Sequence, residues 1–375
     1  MSAIMAHNVG KKIMGVYWEP NDICMALLGG ALIALATTLN LLIMGRVTGV
    51  SGMYFSVFRG KLGEGFVWKF CALVGMALIP FLFNHFEGRE IVYNGRSYRF
   101  LDGSQEVLGD LGLAGWLIGG LCVGFGTKLG NGCTSGHGVC GLPRLSERSL
   151  VAVVVFMLSA MLTATVSSYM PIFSSVYPKG LIDDQSYSQA MHVLMGLSLA
   201  VVISTAVHSI STQVDASCKY DSLISFGVGL IFGAGLLVSG MCRRTKIKAF
   251  LTIGDNWDPS LLFVMVAAVG INLVTFQGIF KQYKAPVLRH EFILPSQADI
   301  DWQVIAGPAI FGLGWGITGF CPGPGIVNLF LFPVLVPFMM SVALGQVLAA
   351  SLVYVTRPNI TALKEEIEIA THIKI

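Results

Sequence analysis

The chain has 375 residues, of which 54% are hydrophobic and 12% charged, about half the charged share of an ordinary soluble domain. A mean hydropathy of +0.72 marks it as a polytopic membrane protein. The net charge of +3 is diffuse and forms no basic block, which argues against nucleic acid as a partner.

The start, Met1 to Gly15, shows no short apolar core with a small-residue cleavage site, so no removable signal is expected. Residues 23–44 form a run of 22 residues without charge, long enough to span. Residues 46–55 are short, semi-apolar and carry glycine. They read as a re-entrant half-helix that ends near Arg59-Gly60-Lys61. Residues 66–83 are the second span. Residues 84–110 are polar, with Asn94-Gly95 between Ile91-Val92-Tyr93 and Tyr98-Arg99-Phe100, the signature of a small hairpin outside the membrane.

Residues 111–127 are the third span and 150–170 the fourth, with a glycine-rich loop around Cys133 between them. Residues 189–209 form a fifth span. Then come 223–238, a basic segment from Arg243 to Lys248, a span at 261–280, and a polar loop to Asp301. A span at 302–318, a second glycine-rich loop around Cys321 and a last span at 332–355 complete the series. The charged tail 361–375 is expected to be a surface helix.

The two loops have one build. Gly124, Gly126 and Cys133 match Gly312, Gly314 and Cys321, each 188 residues on. Val50-Ser51-Gly52-Met53 and Val238-Ser239-Gly240-Met241 are identical at the same offset, as are the glycines of Gly45/Gly233 and Gly119/Gly307. One gapless offset at separated places argues for an internal duplication of a bundle. Four spans per copy and one unmatched linking span make the second copy cross the membrane upside down. The fold class is therefore an all-α polytopic membrane protein of about nine transmembrane helices plus short re-entrant half-helices, in two inverted repeats. Such folds place substrate at the midplane between the copies. The expected organisation is an N-terminal segment 1–21, a first repeat 22–170, a link 171–209 with one span, a second repeat 210–356 and a tail 357–375. With nine spans, 10 Lys/Arg fall on the N-terminal side and 13 on the other, a slight lean to a cytoplasmic C-terminus.

Non-helical backbone survives at membrane depth only when it is buried in protein or lines a polar path. The loops 130–141 and 319–325 are such backbone. Half-helices entering from opposite faces would bring their N-termini together, with free N–H groups and about half a positive charge each, a setting suited to an anion. Pro322 and Pro324 suit the first turn of a helix over 325–331. Thr134 and Ser135 are N-cap types for the equivalent helix.

Of the eight cysteines (Cys24, Cys71, Cys122, Cys133, Cys140, Cys218, Cys242, Cys321), none forms a CxxC. They do not read as a secreted disulfide framework. Cys24, Cys71, Cys122 and Cys140 read as small buried hydrophobes. Cys133 and Cys321 share the repeated position between glycines, and Cys242 follows the repeated Ser-Gly-Met. His137 reads either as a cap on a half-helix or as a substrate contact or proton partner for Cys133. Arg243, Arg244, Lys246 and Lys248 read either as positive-inside residues or as an anion-attracting vestibule. The candidate binding set is Cys133, Thr134, Ser135, Gly136, His137, Cys242, Cys321 and Gly323. No metal-ligand cluster, Walker motif or paired carboxylates within a span is present, and no cofactor is expected.

At Gly132-Cys133-Thr134-Ser135-Gly136-His137-Gly138 and Gly319-Phe320-Cys321-Pro322-Gly323-Pro324-Gly325 the chain resembles the YeeE/YedE sulphur-transport family. Ser239-Gly240-Met241 and the following Lys246-Ile247-Lys248-Ala249-Phe250-Leu251 fit it too, and the likeness covers most of residues 22–356. The resemblance implies a thiosulfate importer of nine spans in the plasma or inner membrane. It further implies an hourglass of inverted repeats, essential thiols matched by Cys133 and Cys321 at a central constriction, and a cytoplasmic sulphur-carrier protein of the TusA type as a partner. A third family cysteine belongs to the first re-entrant segment, where this chain has Ser51-Gly52-Met53-Tyr54; Cys242 in the related segment is the candidate substitute. The rival readings are a membrane-embedded sulphur-transfer enzyme, with Cys133 as nucleophile and His137 as base, and a pore for another small solute.

Overall fold

Long apolar helices dominate the computed structural model. It describes residues 11–13, 16–18, 20–60, 65–86, 91–93, 96–98, 111–170, 173, 184–211, 220–254, 257–295 and 299–356. The chain is an all-α polytopic membrane protein: among the described residues, eight helices are long and apolar enough to cross a bilayer, or nine if one pair bent by 46° counts as a single span. The long helices are α1 (Pro20–Met44), α3 (Phe66–Phe86), α4 (Leu113–Leu129), α5 (Glu147–Tyr169), α6 (Asp184–Ser211), α7 (Asp221–Val238), α9 (Ser260–Gln282), α10 (Trp302–Thr318) and α12 (Leu335–Thr356). Between them lie the short α2 (Val50–Phe58), a π-helix over Thr134–Gly141, α8 (Arg244–Leu251) and α11 (Pro322–Asn328).

Two two-stranded hairpins are the only strands among the described residues: β1 (Lys11–Ile13) with β2 (Val16–Trp18), and β3 (Ile91–Tyr93) with β4 (Arg96–Tyr98). The second is the expected hairpin, but Tyr93 pairs with Arg96, so its return strand starts two residues earlier than 98–100. The first was not expected. Asn94-Gly95, Cys218 and the tail 361–375 lie outside the described residues.

Local sequence explains the breaks. Gly45 ends α1 at a φ of +65°, and Gly240 follows α7 at +77°, backbone that glycine adopts without a Cβ penalty. Ser146 caps α5 by accepting from the Ser149 amide, and Asp301 caps α10 by accepting from Val304. Leu158 and Leu162 on α5 and Val193, Leu197 and Val207 on α6 face outward, the apolar belt expected of a bilayer-facing surface.

The six most extensive helix pairings all join one half of the chain to the other. They are α4·α12, α4·α10, α5·α10, α3·α7, α1·α9 and α1·α7. Exchanging each helix for its counterpart 188 residues away maps this set onto itself. Small residues make the contacts close. A Cβ on Gly314 would lie 2.5 Å from the Gly119 carbonyl oxygen, and one on Gly126 would lie 2.6 Å from that of Gly307. Gly119 and Gly307, and Gly126 and Gly314, are counterparts, so α4 and α10 cross antiparallel. The end pairs of α1 and α7 agree. Arg46, just past α1, meets Asp221 at the start of α7, while Lys246, beyond α7, meets Asp22 in the first turn of α1.

Candidate functional site: where the half-helices meet

Both repeated cysteines are N-caps. Cys133 has extended backbone at the head of the π-helix, and Cys321 does the same for α11. Thr134 and Ser135, expected as caps, are instead the first helical residues. The register is fixed by the extended backbone of Cys133, and it frees both hydroxyls for other work. Likewise α11 runs over Pro322–Asn328 rather than 325–331, because Pro322 at the first helical position has the right φ and no N–H to lose.

The two heads touch. Thr134 donates its hydroxyl to the Cys321 sulfur across 3.7 Å. Ser135 Oγ lies 3.2 Å from Cys133 Sγ and accepts the Val50 amide at 3.1 Å, which brings in the N-terminus of α2. The Cys140 thiol donates to the Thr48 carbonyl. All of Cys133, Cys140, Cys242 and Cys321 are buried, and the Cys242 carbonyl accepts from Asn328 at the end of the half-helix that Cys321 caps. Of the other cysteines treated as core residues, Cys71 is buried and Cys122 half-buried. Cys24, near the start of α1, is exposed instead.

His137 is held by scaffold groups. Its Nε2 donates to the Gly130 carbonyl at 3.1 Å, so in the neutral ring Nδ1 accepts from Ser149 Oγ at 3.1 Å. The ring thereby ties the turn before Cys133 to the start of α5, and it has no nitrogen left for the thiol. The basic segment is also engaged. Arg244 donates to the carbonyls of Thr318 and Ile317, and Lys248 to that of Gly316 and to the Ser167 hydroxyl. These cations sit at helix C-termini, where the dipole favours them, rather than around a vestibule.

A cavity of about 1230 Å³ lies on the opposite face, beside the ends of α1 and α4 and the starts of α3, α5 and α7. Gly49, Ser51, Gly52, Gly132, Gly136 and His137 line it, together with six cations (Arg46, Lys69, Lys128, Arg144, Arg148, Arg289) and two carboxylates (Glu147, Asp221). No cysteine lines it among the described residues, and neither does Gly323. Cys133 lies one residue beyond the lining Gly132.

Sequence reasoning missed this vestibule and the amide side chains that make irregular backbone tolerable at this depth. Asn272 donates to the Val139 carbonyl, Gln277 to Pro143, Asn328 to Cys242 and Gln346 to Ser51. Each gives a backbone carbonyl a protein donor, as backbone at membrane depth requires. The available signal was an isolated Asn or Gln inside an apolar run, a side chain that membrane helices hydrogen-bond across their interfaces.

A family model described as a family of unknown function (DUF6691) matches residues 221–354. A probable transporter of Xylella fastidiosa strain 9a5c is 42% identical over 130 residues, 33% of this chain and 86% of that relative. A probable transporter of strain Temecula1 / ATCC 700964 is 37% identical over 155 residues, 40% of this chain and 96% of the relative. Each of these relatives is thus shorter than half of this chain.

Proposed function

This chain belongs to the family of these probable transporters, and we propose that it moves thiosulfate or a related small sulphur-containing anion through a constriction formed by Cys133 and Cys321. One observation carries the reading: the hydroxyl of Thr134, next to Cys133, donates to the sulfur of Cys321. Two motifs 188 residues apart in sequence are adjacent in space, at the heads of two half-helices. A dianion leaving water needs fixed donors to replace its shell. Helix N-termini supply N–H groups, and neutral thiols supply soft S–H donors to a terminal sulfur without repelling the charge. Weak, successive contacts let the ion leave again.

Inverted repeats support this reading. The antiparallel crossings of α1 with α7 and of α4 with α10 are what a two-fold axis in the membrane plane requires, and relatives about one repeat long fit an origin by duplication. Cys242, whose carbonyl accepts from Asn328 at the end of the half-helix that Cys321 caps, stands in for the cysteine absent from 51–54. Gly136 opens on the vestibule, while Gly323 lets α11 approach Leu236. A TusA-type carrier would receive the sulfur after passage.

The enzyme reading needs a base on Cys133, and the two nitrogens of His137 are engaged elsewhere. We therefore assign no catalytic residue. Uptake of radiolabelled thiosulfate, sulfate and selenite into proteoliposomes tests the proposal. Saturable thiosulfate uptake that is lost in Cys133→Ala and Cys321→Ala supports it, and uptake that ignores both substitutions overturns it.

A further inference from the structure

We propose that the vestibule holds an outer oxyanion-binding station built on Lys69 and Lys128, with Arg148 in the wall behind them. Its purpose rests on the anion-transport reading above; its binding chemistry does not. The cations that line this cavity are unequally neutralised. Arg46 makes two 2.7 Å bonds to the Asp221 carboxylate, and Arg289 reaches the same carboxylate at 3.3 Å. That one carboxylate offsets one of the two guanidinium charges, and Arg289 Nε is buried without a partner among the described residues. Arg148 donates to Asp301 and to the Asp299 carbonyl with one nitrogen, while its Nη2 is buried without a partner among the described residues.

Lys69 and Lys128 differ from these. Neither has a carboxylate within ion-pair distance among the described residues. Neutral groups position them. The Lys128 ammonium lies 4.5 Å from the centroid of Phe55, and that of Lys69 lies 5.5 Å from Trp68 and donates to Ser56 Oγ at 3.0 Å. An aromatic face holds a cation by its quadrupole and leaves the full charge available, whereas a carboxylate would cancel it. The rings and the hydroxyl belong to α2 and to the start of α3, which form one wall of the cavity.

The floor has room for a guest. A Cβ added at Gly49, Gly52 or Gly136 would meet nothing within 4 Å. The chemistry here is charge and open volume, without a thiol. The station should therefore take small divalent oxyanions alike, and leave the choice of sulfur to the cysteines beyond Gly132. Cations in a low-dielectric cleft raise the local concentration of such ions and their rate of capture by about 10- to 1000-fold, an effect that salt screens.

The test separates this station from the thiol site. Equilibrium binding of radiolabelled sulfate is measured on the full chain carrying Cys133→Ala and Cys321→Ala, reconstituted in phosphatidylcholine vesicles. Binding is expected to persist, to weaken by about tenfold in Lys69→Gln/Lys128→Gln, to recover in Lys69→Arg/Lys128→Arg, and to fall steeply with ionic strength. Equal sulfate binding with and without the glutamines overturns the station even if thiosulfate transport is real. Absence of thiosulfate uptake by the parent chain, with both cysteines in place, alongside intact, lysine-dependent sulfate binding sinks the transport reading and keeps the station. Addition of phosphatidylglycerol is expected to leave sulfate binding within about twofold; its abolition would assign the lysines to lipid headgroups and overturn the proposal.

Discussion

Thr134 and Cys321 stand 187 positions apart in the chain and share a buried hydrogen bond of 3.7 Å. The contact links the first helical residue of one half-helix to the N-cap of the other.

That contact sets a hierarchy among thiols. Cys133→Ala and Cys321→Ala should each abolish uptake at normal expression, whereas Cys71→Ala and Cys122→Ala should stay within a few-fold. Cys242→Ala should fall between. Because a hydroxyl still donates, Cys133→Ser and Cys321→Ser should keep similar partial activity. A persulfide on Cys133 in turnover amounts, with Cys133→Ser dead and Cys321→Ser mild, would point to the enzyme instead.

His137 should behave as a strut. His137→Ala removes both of its hydrogen bonds and orphans the buried Gly130 carbonyl, at about 1–3 kcal/mol. A thermal-stability assay in detergent should show the loss directly. The alkylation rate of Cys133 in a folded His137→Gln sample should be unchanged within about twofold; a large drop would make the ring a base.

The amide donors should matter for stability before they matter for selectivity. Asn272→Leu leaves the Val139 carbonyl unpaired, while Thr37 keeps the Ile33 and Ala34 carbonyls as acceptors and Thr38 keeps the Thr275 hydroxyl. The expected cost is about 1–3 kcal/mol per orphaned group, read as a lower melting temperature with the order of anion preference retained.

The glycine interfaces predict a contrast. A Cβ on Gly124 would overlap the Val342 carbonyl, so Gly124→Ala must push α4 off α12. Overpacking of this kind costs about 1–3 kcal/mol or more, and expression of a monodisperse protein should fall. Gly52→Ala meets nothing within 4 Å and should fold as well as the parent. Equal outcomes would contradict the packing described for α4.

The proposed inverted arrangement can be checked by labelling. Arg59 follows α2 near the vestibule, and Gly254 lies beyond α8 on the opposite face; both are exposed. Single cysteines at these two sites in an otherwise thiol-free chain should react with a membrane-impermeant maleimide from opposite sides of a vesicle. Residue 254 is the counterpart of 66, so a parallel repeat would put both labels on one side.

Much of the molecule was legible in the sequence because the bilayer leaves few choices. Backbone polar groups must be satisfied internally, so uninterrupted apolar runs such as 23–44 and 302–318 can only be helices. A gapless offset of 188 residues pointed to a duplication and drew attention to Cys133 and Cys321. The caps, the vestibule and the partner of each polar group were not legible. They depend on which atoms meet when two halves interlock. Composition cannot tell that Lys128 faces the ring of Phe55 while Arg244 is tied to the carbonyls of α10. Nor can it tell that both nitrogens of His137 go to Gly130 and Ser149, or that Gln346 reaches the carbonyl of Ser51 from 295 residues away. A charge or an amide in a sequence has many possible partners. Only close packing at low dielectric, where an unmade bond costs the most, selects one.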